Sequence, residues 1–136
     1  MASAERLDAF ALMKRFREDE SALGDALALF VDRPDYGFVW LAYDDGIPAA
    51  CLSAAFAIST ESGGLIAELR DVYVTEERRR RGIGSALLAT LHGRLDQLGV
   101  SRIEAAVPDD APDLTAFFAA RGYTRAAAAR VTLNRR

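Results

Sequence analysis

Cysteine is almost missing from this chain. Cys51 stands alone, so no intramolecular disulfide can form. Histidine is as scarce, and the single His92 cannot supply the cysteine and histidine cluster of a zinc site, which excludes a structural metal of that kind. No run of residues approaches the ~20 consecutive apolar positions of a membrane-spanning helix. The first residues, Met1 to Glu5, are small or acidic, with no basic segment leading into an apolar stretch. That pattern is not a secretory signal, and the cytoplasm is the expected compartment. A surplus of positive charge is missing too: 17 Lys and Arg stand against 20 Asp and Glu, a net charge of −3. General nucleic-acid binding, which needs phosphate neutralisation, is therefore not expected.

What is present suits one globular domain over residues 1–136, about half of them apolar, with no internal repeat or low-complexity linker. Leu7, Phe10 and Met13, then Leu23, Ala26, Leu27, Phe30 and Val31, recur at helical spacing. Two helices are predicted, the second capped by Ser21. Pro34 stops the helical pattern. Aromatic and β-branched residues from Gly37 to Tyr43 predict a strand ending at the turn Asp44, Asp45, Gly46. A second strand over 48–58, a turn at Glu61 to Gly64 and a third strand over 65–74 complete an antiparallel meander. From Gly82 the apolar period changes to that of a helix, through Ile83, Leu87, Leu88, Leu91, Leu95 and Leu98, with Gly99 placed for a left-handed cap. Ile103, Ala105 and Val107 alternate as a strand. Pro112 and Gly122 bracket a last helix, and Tyr123 to Leu133 is expected to close the chain as one or two strands. The class is α/β, with a mixed, mostly antiparallel sheet flanked by helices.

The positive charge is uneven. Five arginines fall between Arg70 and Arg81, and Arg78 to Arg81 are consecutive. A run of this kind is ordinarily a solvated loop. Here it leads into Gly82, Ile83, Gly84 and Ser85 at the start of the strongest helix. The first turn of a helix leaves backbone N–H groups unpaired at the positive end of the peptide dipoles, so an anion is its natural ligand. Glycines let the backbone approach phosphate oxygens, and arginines supply compensating charge. A nucleotide-hydrolysing loop needs Lys and then Ser or Thr after its last glycine, whereas Ser85 and Ala86 follow Gly84. A dinucleotide fingerprint needs a third glycine where Leu87 stands. Neither fits.

The segment Arg79, Arg80, Arg81, Gly82, Ile83, Gly84, flanked by Val72, Tyr73, Val74 and by Ser85, Ala86, Leu87, Leu88, resembles the R/Q-x-x-G-x-G/A motif of the GNAT N-acetyltransferase superfamily. Ala119 to Tyr123 is similar to that family's closing glycine and aromatic. The resemblance implies acetyl-CoA as cofactor, with CoA pyrophosphate held by backbone amides from Arg80 to Ser85. It also implies that main-chain groups of Val72, Tyr73 and Val74 pair with the pantetheine arm. The acceptor would be a small-molecule amine or a protein amino group. A homodimer is a further expectation, because such domains usually open with a strand, this chain opens with a helix, and a sheet edge is left to cover.

Acyl transfer to an amine needs a neutral amine, a polarised carbonyl and a proton for the departing thiolate. Glu68 stands where the resemblance implies a general base, with Asp71 as second choice and Glu61 as third. With a two-residue strand period Glu68 and Asp71 point to opposite faces, so only one reaches a cleft unless a bulge intervenes. The family's usual tyrosine acid corresponds to Phe118, which cannot donate a proton, and its usual asparagine to Ala111. Tyr73 and Tyr123 are the alternatives for the acid. A non-catalytic acyl-CoA-binding module is the rival expectation, and an RNA-binding arginine run a third.

Overall fold

The computed structural model describes residues 3–126 and 128–135. Met1 and Ala2 of the N-terminal reading, Ala127 within the terminal alanine run, and Arg136 lie outside them. The chain clusters into two compact units, one up to Ala106 and one from Val107.

In the first unit, helices α1 (Ser3–Met13) and α2 (Glu20–Asp32) precede strands β1 (Gly37–Asp44), β2 (Ile47–Ser59) and β3 (Gly64–Val74). A short 3₁₀ turn (Glu76–Arg78), helix α3 (Ile83–Gln97) and strand β4 (Arg102–Ala105) follow. The sheet order is β1-β2-β3-β4; the first two pairings are antiparallel, and β4 joins β3 in parallel after the α3 crossover. Among the described residues no strand precedes β1, so β1 is an edge.

One face of the sheet meets α1 and α2. Ala9, Leu12, Met13, Leu23 and Leu27 form a core cluster there with Val39 and Cys51. Strand alternation turns the buried Leu52 and Ala54 of β2 to the other face. Leu87, Leu88, Leu91 and Leu95 are the buried residues of α3, which packs against β1, β2 and β3. Full burial of a leucine side chain is worth about 1.5–3 kcal/mol, so these four hold α3 in place.

One local expectation changes. The cap of α2 is Asp19, not Ser21: its carboxylate accepts from the Ala22 N–H at 2.9 Å, and the helix has begun by Glu20. An acidic cap suits the positive end of a helix, which is why Asp19 takes the position. Gly99, at φ 74°, ends α3 as expected.

In the second unit, α4 (Pro112–Ala119) starts on its proline, and the Phe118 ring lies 5.4 Å from Phe117 and 4.9 Å from Tyr123. The expected closing strands are absent from the described residues between Tyr123 and Leu133. The alanine-rich stretch Ala126 to Ala129 has little apolar surface to bury and low β-propensity, while Val131 and Leu133 are exposed. No described helix is long and apolar enough to cross a membrane.

Candidate active site

β3 is paired on both sides only over its first half. Its parallel partner spans Ile66 to Leu69 opposite Arg102 to Ala105, closing with the Ala106 N–H donating to the Leu69 carbonyl at 3.0 Å. Beyond that point β3 runs on to Val74 with β2 as its one strand partner among the described residues, so its other edge carries no ladder.

Register decides what that edge presents. Ser53 pairs with Arg70, but Cys51 pairs with Tyr73, so Asp71 and Val72 together oppose Leu52. This is a β-bulge with Asp71 at φ 56°. Thr75 donates to the Ala49 carbonyl at 2.9 Å, which places Thr75 and Tyr73 toward β2 and turns the N–H and C=O of Val72 and Val74 to the open side. Without the extra residue, Val72 would face β2 as Arg70 does.

The open edge leads into the arginine loop. Arg80 has φ 66° and Gly82 has φ 78°, two left-handed positions bracketing Arg81. Gly82 is the N-cap of α3, offers no side-chain cap, and no acidic residue occupies the first helical turn. The Ala86 N–H donates to the Gly82 carbonyl at 3.0 Å. A Cβ at Gly82 would meet nothing within 4 Å, so no protein atom crowds that position.

The arginines have separate tasks. Arg78 donates to Asp44 at 3.0 Å and is largely covered, while Arg81 reaches the same carboxylate at 3.6 Å. Arg79 donates to the Val74 carbonyl at 3.0 Å, with its guanidinium 5.6 Å from the Tyr73 ring centre. Arg80 forms no ion pair among the described residues and is exposed.

Asp71 lies where β3 is paired on one side and Glu68 in the doubly paired stretch just before it, and the bulge alters the expectation that they face opposite ways. Ser53, whose neighbour-but-one Cys51 belongs to the α1–α2 core, donates to Asp71 at 2.7 Å. Glu68 pairs with Ala55 and ion-pairs with Arg70 at 2.8 Å, on that same face. Asp71 is also gripped by Arg17, which leaves the end of α1 and donates through both Nε, at 3.0 Å, and Nη2 to one carboxylate oxygen. Glu61 binds Arg102 at 2.9 Å across the turn, a structural use.

The turn between α1 and α2 forms the wall nearest the bulge. Phe16 packs on Tyr73 with ring centres 5.0 Å apart, and Arg15 approaches Glu77 at 3.6 Å. The Arg15 pKa is raised, first by a side-chain hydrogen bond with Tyr73. A groove of about 620 Å³ opens along this turn, lined by Lys14 to Glu18 and Glu20. Cys51, fully buried, has its thiol pushed up to about 12 by desolvation and then by the Asp71 charge. It is no nucleophile at neutral pH. In the second unit, burial raises the Tyr123 pKa, and Phe118 has no group to donate.

An open-edged strand, a left-handed arginine and glycine loop and a helix start without a side-chain cap follow one another along the chain, and the sequence model of the acetyltransferase (GNAT) family matches residues 5–123. The chain belongs to the GNAT acetyltransferase family. No curated protein matches it in sequence. Solved structures do. The aminoglycoside 6'-N-acetyltransferase AAC(6')-IG from Acinetobacter haemolyticus has a TM-score of 0.84 at 17% identity, covering 99% of this chain and 95% of that one. AAC(6')-Iy in complex with CoA gives 0.81 at 16%, covering 100% and 91%. The ribosomal-protein-alanine N-acetyltransferase from Brucella melitensis biovar Abortus 2308 gives 0.77 at 14%, covering 98% and 96%. At these identities the likeness is one of fold. Arg17 and Ser53 were not visible as site residues in the sequence, because neither lies in a motif and each meets Asp71 only through tertiary structure.

Proposed function

We propose that this GNAT protein, acting as a single domain over residues 1–136, moves an acetyl group from acetyl-CoA directly to an amine. The observation that carries the proposal is the continuity of the open β3 edge with the left-handed loop and uncapped α3 start. Val72 and Val74 would pair with the amides of the pantetheine arm. Backbone N–H groups from Arg80 to Ser85, including Ile83 and Gly84, would hold the pyrophosphate, with Arg79 to Arg81 as compensating charge. Acetyl-CoA supplies the activated acyl group as a thioester. Within the protein, Glu68 takes the acceptor's proton, directly or through water, with Asp71 the second choice. The Val72 N–H points to the open side, where it can donate to the acyl carbonyl.

The acceptor is a small-molecule amine or a protein amino group; solved relatives named for aminoglycosides and for a ribosomal-protein alanine share this fold, and the fold does not choose between them. We place the protein in the cytoplasm and propose that the β1 edge pairs in a homodimer.

Thermal unfolding with excess CoA or acetyl-CoA tests the cofactor. Ligand at ~100 times Kd stabilises by about 2.7 kcal/mol, several degrees in Tm. Gly82→Glu, which sets a carboxylate against the phosphate position, should abolish the shift while the variant stays folded. An undiminished shift in that variant would overturn the assignment. A second reading, a non-catalytic acyl-CoA-binding module, is favoured by Phe118 in place of a proton donor. Robust turnover on an amine panel, lost in Glu68→Gln, excludes it; stabilisation by CoA with no turnover on that panel supports it.

A further inference from the structure

Asp71 sits at φ 56°, a left-handed conformation that aspartate tolerates better than most residues but that still costs energy unless surrounding groups hold it. Three side chains do so here. The Ser53 hydroxyl donates to one carboxylate oxygen at 2.7 Å, Arg17 donates twice to the other, and the Cys51 thiol donates to the Asp71 carbonyl at 3.4 Å. Two of these come from the neighbouring strand and one from the α1–α2 turn, 54 residues away in sequence.

We infer that Arg17, Ser53 and Asp71 form a clasp that fixes the β3 bulge and thereby aims the Val72 N–H at the acyl carbonyl, so that Asp71 is a positioning residue and not the base. The inference rests on the acetyl-CoA reading given above.

The bulge is the only reason that Val72 faces outward, since alternation from Arg70 would otherwise turn its N–H into β2. Whatever holds Asp71 therefore sets that donor's direction. The carboxylate is also poorly arranged to act as a base. Each of its oxygens already accepts from a side chain that holds it in place, one from Ser53 and the other twice from Arg17. Holding and aiming is the task this arrangement suits. The clasp also couples two parts of the site: Phe16 on Tyr73 and Arg15 near Glu77 continue the same seam, tying the wall of the groove to the strand.

CoA and acetyl-CoA differ at the carbonyl that Val72 would meet, so their relative affinity reports its aim without an identified acceptor. Calorimetric titration of both ligands into wild type, Arg17→Met, Asp71→Asn, the double variant and Ser53→Ala makes the test. Wild type should prefer acetyl-CoA. Arg17→Met and Asp71→Asn should each weaken acetyl-CoA by ~3- to 10-fold, the scale of one lost hydrogen bond, and leave CoA affinity in place. The double variant should be no worse than either single one, because both remove the same contact. Ser53→Ala, which keeps the ion pair, should lose less. Equal weakening of both ligands would mark a merely structural role and overturn the inference, as would an unchanged preference in the variants or none in wild type. Failure of wild type to bind either ligand would defeat the cofactor assignment itself, and this inference with it.

Discussion

Thr75 closes β3 with a side chain that is fully buried and a hydroxyl that no described residue satisfies. Its backbone is fully engaged, accepting from Arg78 and donating to Ala49, both at 2.9 Å, so only the side chain is in deficit. A buried unpaired hydroxyl costs about 1–3 kcal/mol. Thr75→Val keeps the shape and removes the deficit, and should stabilise the protein by about 1 kcal/mol, roughly 3–6 °C in Tm by calorimetry. A drop in Tm would mean that the hydroxyl has a partner. Cys51 gives a pH effect of definite sign. Its folded pKa is raised from 9.0 to about 12, so the folded state keeps a proton that the unfolded state releases. The stability tied to the neutral thiol is full below about pH 9 and is lost as pH rises toward 12, at about 1.4 kcal/mol per pH unit. Cys51→Ala lacks that titration. The stability gap between wild type and Cys51→Ala, measured by urea unfolding, should therefore narrow between pH 9 and 11. A constant gap would contradict it.

At the scale of elements, a strand's period and its turns were legible, and its exceptions were not. Alternation from Gly37 onward and the turns at Gly46 and Gly63 place the meander to within a residue or two. The bulge leaves no such mark: Asp71 adopts φ 56° without being glycine, and the apolar pattern on either side of it reads as unbroken strand. Aspartate tolerates left-handed backbone better than most residues, a weak signal that only the register made decisive. The helix start at Gly82 was legible because glycine, arginine and the change of period coincide there. The closing segment is not legible in the same way, since an alanine run satisfies an apolar pattern while offering little to bury. Glycine's two uses can be separated by experiment. A Cβ on Gly37 would lie 2.1 Å from the Ala54 carbonyl oxygen, on the backbone of β2, whereas one on Gly63 would meet nothing within 4 Å. Gly37→Ala should cost about 3 kcal/mol or more, because two paired strands must part. Gly63→Ala should cost about 1 kcal/mol, for its positive φ alone. Equal midpoints in urea for the two variants would show that the strands yield freely.

For the molecule as a whole, four consecutive arginines on a chain of net charge −3 raise the question of whether they serve an external polyanion. Their partners point inward. Arg78 and Arg81 converge on Asp44, Arg79 is on the Val74 carbonyl, and Arg80 stays outside any described ion pair. Only Arg78 and Arg81 share a carboxylate, so the loop keeps a local positive charge, but the overall negative charge repels a nucleic acid at long range. Single-stranded RNA should therefore show no binding at micromolar protein in ~0.15 M salt, where non-specific complexes of basic proteins have Kd of about 10⁻⁴–10⁻⁶ M. The same protein should still respond to CoA, because a pyrophosphate at the α3 start is met by backbone N–H groups at short range, which salt screens far less than a surface field. Fluorescence anisotropy with labelled RNA, run beside thermal unfolding with CoA at two salt concentrations, separates the two. RNA binding that survives 0.15 M salt and disappears in an Arg78 to Arg81 alanine variant would assign the run to an external partner. A CoA response that persists at the higher salt, with no RNA binding, places its use within the loop.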